Sequence, residues 1–397
     1  LGNIYKVFNN SIPGMSGYIK ANLHLKGRQS DALNRRYTQL YNQGTLTVKD
    51  FIARPEGMAK PLQIKKGVFR FDQDKMWFEQ FIIQYGRSKM YMNGYMQNVP
   101  GYLFLDDAVL AGAFNLYTDF VDFNEWMPAD QPVVNTSSVG TTSSTGPLMI
   151  PSNLNLKVTA VVNHILFNGV NIRNNKGSLL LHNGKLSLQE VECQLAGSQL
   201  QLNANYSNKG LKRALFDVSF TVKNAFIEKL YDSVGLFREM MTSAAKARGM
   251  ISIDYQLKGA LNSMMQPIYP SLEGSGVLSV HNAKFKGFRL LNAVSKATGK
   301  DSLANSSVSK VELRTSIQKN VISLERVKMK MAGFRLRLAG QTSFDGHVKF
   351  KMRLGLPPLG IIGIPISITG TQNAPKVKVG KTDEERLGEN EDSENDQ

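Results

Sequence analysis

Alternation with a period of two constrains this chain more than any other feature, because a strand sends successive side chains to opposite faces and a helix does not. Val348, Phe350, Met352 and Leu354 interleave with Lys349, Lys351 and Arg353; Phe334, Leu336 and Leu338 interleave with Arg335 and Arg337; Val327, Met329 and Met331 interleave with Lys328 and Lys330. One face of these segments is apolar and the other basic. Leu200 and Leu202 alternate with Gln199, Gln201 and Asn203, and Phe69 and Phe71 flank Arg70. The pattern predicts a mainly β chain.

A unit of strand, turn, strand, then a Gly opening a third strand can be aligned on itself three times. Its copies begin at Gly67 (with Met76 to Ile83, Gly86 and Met90 to Gly94), at Gly177 (with Leu186 to Leu195 and Gly197 to Leu202), and at Lys310 (with Val321 to Met331 and Gly333 to Gly340). Shorter apolar-x-apolar-x-Gly endings occur at Gly27, Gly259 and Gly370, where Gly is expected to end a strand or let it bend. Two helices are expected to interrupt the strands. Phe226, Leu230, Val234, Phe237 and Met241 space an amphipathic helix over 224–248 closed by Gly249, and Leu290, Leu291, Val294 and Ala297 a shorter one over 288–299 ending at Gly299.

The expected fold is therefore an elongated, curved antiparallel sheet, an open solenoid-like β-groove with a few short amphipathic helices. Residues 1–130 form its first part and 154–380 its continuation. The Ser/Thr-rich segment 131–153 reads as a flexible loop that either separates domains or, the favoured reading, is an excursion between strands of one sheet. Residues 381–397 hold eight carboxylates against Lys381 and Arg386, a charge of −6, and read as a disordered acidic tail. The whole chain carries +16, which leaves +22 on residues 1–380 and favours anionic partners. The apolar run Leu354 to Thr369 is cut by three Pro and three Gly, too broken for a spanning helix.

Few residues invite catalysis. His24, His164, His182, His281 and His347 are scattered, and Cys193 is the single cysteine, so neither a metal cluster nor a disulfide framework is expected. Gly380-Lys381-Thr382 has Pro375 where a phosphate loop needs Gly, and Gly274-Ser-Gly276 runs into strand-like sequence. No catalytic residue, metal or cofactor is expected. Nucleic-acid binding is disfavoured because the aromatics on which bases would stack lie on the face opposite the cations. The apolar faces themselves have two readings, closed core or a trough for acyl chains, the second suggested by the solenoid-like repeat and by 16 flexible Met.

The apolar-x-apolar-x-Gly endings, the segment Gly112-Ala-Phe-Asn-Leu-Tyr-Thr-Asp-Phe-Val-Asp-Phe-Asn-Glu-Trp126, Tyr255 to Gly259, Leu272 to Val280, Gly340 and Leu356-Pro-Pro-Leu359 resemble the AsmA-like family of Gram-negative envelopes, related to TamB and the bridge-like lipid-transfer group, and its Bacteroidota members above all. The resemblance spans about residues 5 to 380 and its motifs are degenerate. It implies non-enzymatic movement of phospholipid between inner and outer membrane, supporting outer-membrane assembly, by a periplasmic protein held in the inner membrane by an N-terminal helix missing from this chain. The acyl chains are then expected along Phe69, Phe71, Met90, Met92, Leu200, Leu202, Val327, Met329, Met331, Leu336, Leu338, Phe350 and Met352. The alternative is a periplasmic scaffold or chaperone that takes up outer-membrane protein strands by β-augmentation.

Overall fold

The computed structural model describes residues 16–380 apart from 34–38, 40, 55–59, 105–106, 127–146, 168, 209, 211, 241–244, 246, 264, 287 and 358–361. The acidic tail, most of the Ser/Thr-rich segment and Met241 of the expected helix lie outside the described residues. The fold is mainly β: nineteen strands belong to one open sheet, with a few short helices. Chain contacts resolve it into two compact units, the first made of 1–194, 201–216 and 261–266 and the second of 195–200, 217–260 and 267–397.

The first unit contains β1 (Ser16–Lys26), α1 (Gln29–Leu33), β2 (Tyr41–Ala53), β3 (Leu62–Asp72), β4 (Lys75–Tyr85), β5 (Ser88–Gln97), α2 (Val99–Phe104), β6 (Leu110–Asp122), β7 (Leu154–Phe167), β8 (Val170–His182) and most of β9 (Lys185–Leu195) and β10 (Ser198–Asn208). Its ladder runs antiparallel from β1 to β6. It then departs from the all-antiparallel expectation. β6 pairs with β7 in parallel, Leu110 opposite Leu154 through Asp122 opposite Leu166, before β8 restores the antiparallel order. Two parallel strands cannot be joined by a tight turn. β6 and β7, separated in sequence by Phe123 to Asn153, are nevertheless neighbours in one sheet.

Most of β11 (Ala214–Phe226) and all but the end of β12 (Ala247–Leu261) belong to the second unit, with α3 (Ile227–Ser233), α4 (Gly235–Met240), β13 (Glu273–Phe285), α5 (Arg289–Thr298), β14 (Ser307–Gln318), β15 (Val321–Met331), β16 (Phe334–Ser343), β17 (Val348–Gly355), β18 (Gly363–Gly370) and β19 (Pro375–Val379). From β12 to β19 each strand pairs antiparallel with the next. The single helix expected over 224–248 is instead two short ones. Residues 224–226 finish β11, Val234 breaks the helical run, and Gly249 sits at a register shift inside β12. The expected helix at 288–299 is present as α5, which buries Leu291 and Val294 and stops at Gly299, held at φ 64.

All three copies of the repeat fold as strand, hairpin, strand, hairpin, strand. Their middle strands, β4, β9 and β15, each have 11 residues. Two-residue turns close the second and third copies at Asn183-Gly184, Ala196-Gly197, Lys319-Asn320 and Ala332-Gly333, with positive φ at both positions, the geometry that matches strand twist. Midway, each middle strand exposes two residues in succession: Glu79 and Gln80, Gln189 and Glu190, Glu325 and Arg326. Register shifts mark the site in β4 and β15, and Gln80 and Glu190 adopt positive φ. These are β-bulges, and each moves the apolar residues from one parity to the other.

Gly94 and Gly340 lie inside β5 and β16 opposite Phe114 and Phe350. Gly276 lies opposite Tyr255 in the same way. A Cβ at Gly340 would come within 2.6 Å of the Phe350 backbone and ring, and one at Gly94 within 2.7 Å of Phe114. The ring occupies the space that a second side chain would need. Gly340→Ala, at φ 153, is therefore expected to cost more than about 2 kcal/mol in urea denaturation. Gly333→Asn, at a turn with nothing within 4 Å of the added Cβ, should leave the midpoint nearly unchanged.

Candidate apolar binding face

In the first unit the inward rows run across the strands. Phe69 faces Leu46 and Phe78; Phe78 faces Gly94, which faces Phe114, which faces Val158. Beside that row, Phe71, Met76, Met96, Gly112 and Leu156 stand opposite one another in turn. Phe78, Phe81 and Phe114 form a buried cluster, with Ile64, Phe69, Met76, Ile83, Met92, Met96, Leu156 and Val158 half-buried against it. The rings meet edge to face at 4.5 Å between Phe69 and Phe81 and at 5.2 Å between Phe78 and Phe114, each such pair contributing about 1 kcal/mol beyond burial.

What lies over that face decides what it can do. The strands of this unit contact chiefly their ladder neighbours, and the helical neighbours described are the six-residue α2 on β6 and the single 3-10 turn Phe123–Glu125 on β7. No second layer of sheet or long helix packs on the Phe and Met rows among the described residues. The second unit differs. Ile317, Leu354, Ile366 and Ile368 on its strands and Val294 on α5 are almost completely buried, and α5 packs against β19.

The proposed acyl-chain residues separate accordingly. Phe69, Phe71 and Met92 are half-buried on the first unit's face, while Met90 is buried two positions before Met92 on β5. Leu200 and Leu202 are half-buried on β10. In the second unit Val327 faces Leu338, which faces Met352; Met329 faces Leu336; and Phe350 faces Gly340. All of these share the inner face. Val327, Met331, Leu336 and Met352 are closed off from solvent, whereas Met329, Leu338 and Phe350 keep partial exposure.

Sequence reasoning missed a polar clasp at the end of this face. Asp122 and Glu125, inside the segment Gly112 to Trp126, grip the β4–β5 turn. Arg87 Nη2 pairs with the buried Asp122 carboxylate; the Arg87 backbone N–H donates to Glu125 Oε2 (2.9 Å); and Lys60 Nζ pairs with Glu125 Oε1 (2.6 Å). The Tyr85 hydroxyl donates to the Glu125 carbonyl (3.1 Å), and its ring lies 4.4 Å from that of Trp126. Gly86, at φ 53, leaves room for the Glu125 carboxylate. Burial raises the Asp122 pKa, but hydrogen bonds from Arg87 and from the Asn124 side chain and backbone outweigh it, so the carboxyl sits below the ordinary range.

The remaining groups show no converging chemistry. His24, His164, His182 and His281 lie on β1, β7, β8 and β13, and His347 sits beside Asp345 in the turn before β17. Cys193 on β9 is buried, and burial pushes its thiol up to about 11, which keeps it protonated and slow to react. No group of three or more His, Cys, Asp or Glu able to hold a metal occurs among the described residues. No described helix is long and apolar enough to cross a membrane. The chain matches no protein-family model, no curated protein and no solved structure.

The clasp gives a pH dependence with a definite sign. A carboxyl whose pKa is depressed by folding stabilises fully above its unfolded value, about 3.9, and loses that contribution as pH falls through the folded value. Urea midpoints should therefore fall below about pH 4. In Asp122→Asn this component of the acid sensitivity should be absent. Native Cys193 should resist a disulfide thiol reagent at pH 8 and react at once in urea.

Proposed function

We propose that the chain is a non-enzymatic phospholipid carrier or conduit of the AsmA-like kind, working in the periplasm between inner and outer membrane and tethered to the inner one. The observation that carries this reading is the half-buried apolar margin of the first unit's rows, Phe69, Phe71, Met76, Met92 and Met96 around the buried Phe78, Phe81 and Phe114, with no second layer over it among the described residues. A sheet that existed only to close a core would cover such rows. An acyl chain laid along them would leave water at about 0.8 kcal/mol per CH₂, and Met side chains adapt to chains of different length and unsaturation. Headgroups would stay at the edge of the face, where water can reach them.

The strand-capture alternative asks for a welcoming strand edge. β19, the last strand among the described residues, has five residues, begins with Pro375 and carries Lys376 and Lys378, the composition by which natural sheets discourage added strands. The acyl-chain reading is therefore preferred. Its test is mass spectrometry of lipids extracted from the purified protein. Stoichiometric phospholipid is expected in wild type and a loss of at least tenfold in Phe71→Asp and Met92→Asp, with the β-rich circular dichroism unchanged. Leu354→Asp, which buries a charge in the second unit's core, should fail to fold. Lipid-free wild type of normal stability would overturn the reading.

A further inference from the structure

The outer face of β4 to β7 carries an apolar strip between two rows of hydrogen-bonding side chains. Ile82, Tyr91, Tyr117 and Val161 stand opposite one another in turn across the four strands. Tyr91, Tyr117 and Val161 keep 39%, 43% and 45% of their surface in solvent, and the two rings lie 6.2 Å apart, inclined at 42°. On one side of the strip Asn115 Nδ2 donates to Asn93 Oδ1 (3.2 Å). On the other, the Tyr117 hydroxyl and Asn163 Nδ2 both donate to Asp119 Oδ1, at 2.7 and 2.8 Å. These bonds hold the side chains in place and leave Asn93 Nδ2, Asn115 Oδ1, Asn163 Oδ1 and Asp119 Oδ2 without a hydrogen-bond partner among the described residues. Asn and Asp are depleted in strands, so sheet propensity does not account for three Asn and an Asp within β5, β6 and β7 around exposed rings.

Elsewhere on this face the rings are already covered: Arg70 lies over Trp77 at 4.2 Å and Lys75 over Tyr95 at 4.3 Å. Lys89 stands 5.3 Å from the Tyr91 ring, and no cation lies over Tyr117 among the described residues. The charges bordering the strip largely cancel. Glu79 pairs with Arg70, Lys176 opposite Val161 pairs with Glu192, and Lys89 and Asp119 are of opposite sign.

We infer that this strip binds an extended polysaccharide whose pyranose rings lie against Tyr91 and Tyr117. A pyranose ring has apolar C–H faces and a rim of hydroxyls. The strip matches that pattern, with aromatic faces in the middle and fixed donors and acceptors about 7 Å to either side along the strands. An acyl chain would use the rings and leave the amide rows idle. A nucleic-acid strand needs open rings beside free cations, and here the rings most closely flanked by cations are covered by them. The inference goes beyond the acyl-chain reading and is independent of it, since it concerns the opposite face of the sheet.

Co-sedimentation with peptidoglycan sacculi, chitin and cellulose tests it, with chitohexaose and cellohexaose as soluble competitors. Wild type should bind at least one of the three, hold it as salt rises and be released by the matching hexamer. Binding to sacculi and chitin alone would support the inference for acetamido sugars, and binding to all three would support it for pyranose faces in general. Tyr117→Ala should bind about fivefold more weakly. Asn93→Ala with Asn115→Ala should lose about tenfold. Both variants should keep the wild-type circular dichroism and lipid content. Phe71→Asp should bind glycan like wild type even when stripped of lipid, which separates failure here from failure of the carrier reading. No binding to any of the three, unchanged binding by both strip variants, release by salt alone, or tighter binding to a single-stranded oligonucleotide would overturn the inference. So would a wild-type dimer that Tyr117→Ala turns into a monomer, which would assign the strip to a second copy of the chain.

Discussion

A sheet that buries only one of its faces tolerates one register. A slip by a single residue would turn every apolar side chain of a strand outward, so pairing and patterning must agree along the whole strand. In β4 the inward residues are Met76 and Phe78, then Phe81, Ile83 and Tyr85; in β15 they are Ile322 and Leu324, then Val327, Met329 and Met331. The step of three where two is the rule coincides with the bulge. The same step separates Val48 from Phe51, with Asp50 at positive φ, and Val280 from Ala283, with Asn282 at positive φ. Without the extra residue, half of each strand would face the wrong way.

This explains how much of the fold was legible. The strands, their hairpins and the repeat follow from alternation and from Asn-Gly-like turns, and α5 from the spacing of Leu291 and Val294 with Gly299 behind them. The helix expected over 224–248 failed because its helical spacing is shared by two shorter pieces. Phe226 and Leu230 fit one stripe, but Phe226 ends a strand with its ring exposed while Leu230 is buried on α3. The parallel β6–β7 pair was illegible because alternation fixes which face a residue occupies and says nothing of strand direction. The candidate face was legible as a set of apolar rows. Its division into half-buried residues around Phe69 and closed ones around Leu354 depends on which other elements pack there.

The clasp at Asp122 and Glu125 shows a further kind of illegibility. Its members lie far apart in sequence, at Lys60, Tyr85, Arg87 and 122–126, and no periodicity links them. The segment Gly112 to Trp126 had value in the sequence only as a resemblance, whereas in the fold its last residues tie the β4–β5 turn to the end of β6. Arg87 is mostly exposed and Asp122 is buried, so most of the cost of losing the pair would fall on the carboxylate left without its donor.

The parallel pairing of β6 with β7 also governs the order in which the sheet can assemble. The antiparallel neighbours on either side of it can zip up from local connections, most of them short hairpins that close in microseconds. Leu110 can meet Leu154 only after the intervening chain has been brought round, a closure whose entropy no hairpin contact offsets. The meander β1–β6 and the hairpin β7–β8 are thus natural independent nuclei, and the seam between them is the non-local step that sets the pace of folding. Until that seam forms, the facing edges of β6 and β7 expose unpaired amides beside Phe114 and Val158, and the nascent chain is most open to pairing with a wrong partner there.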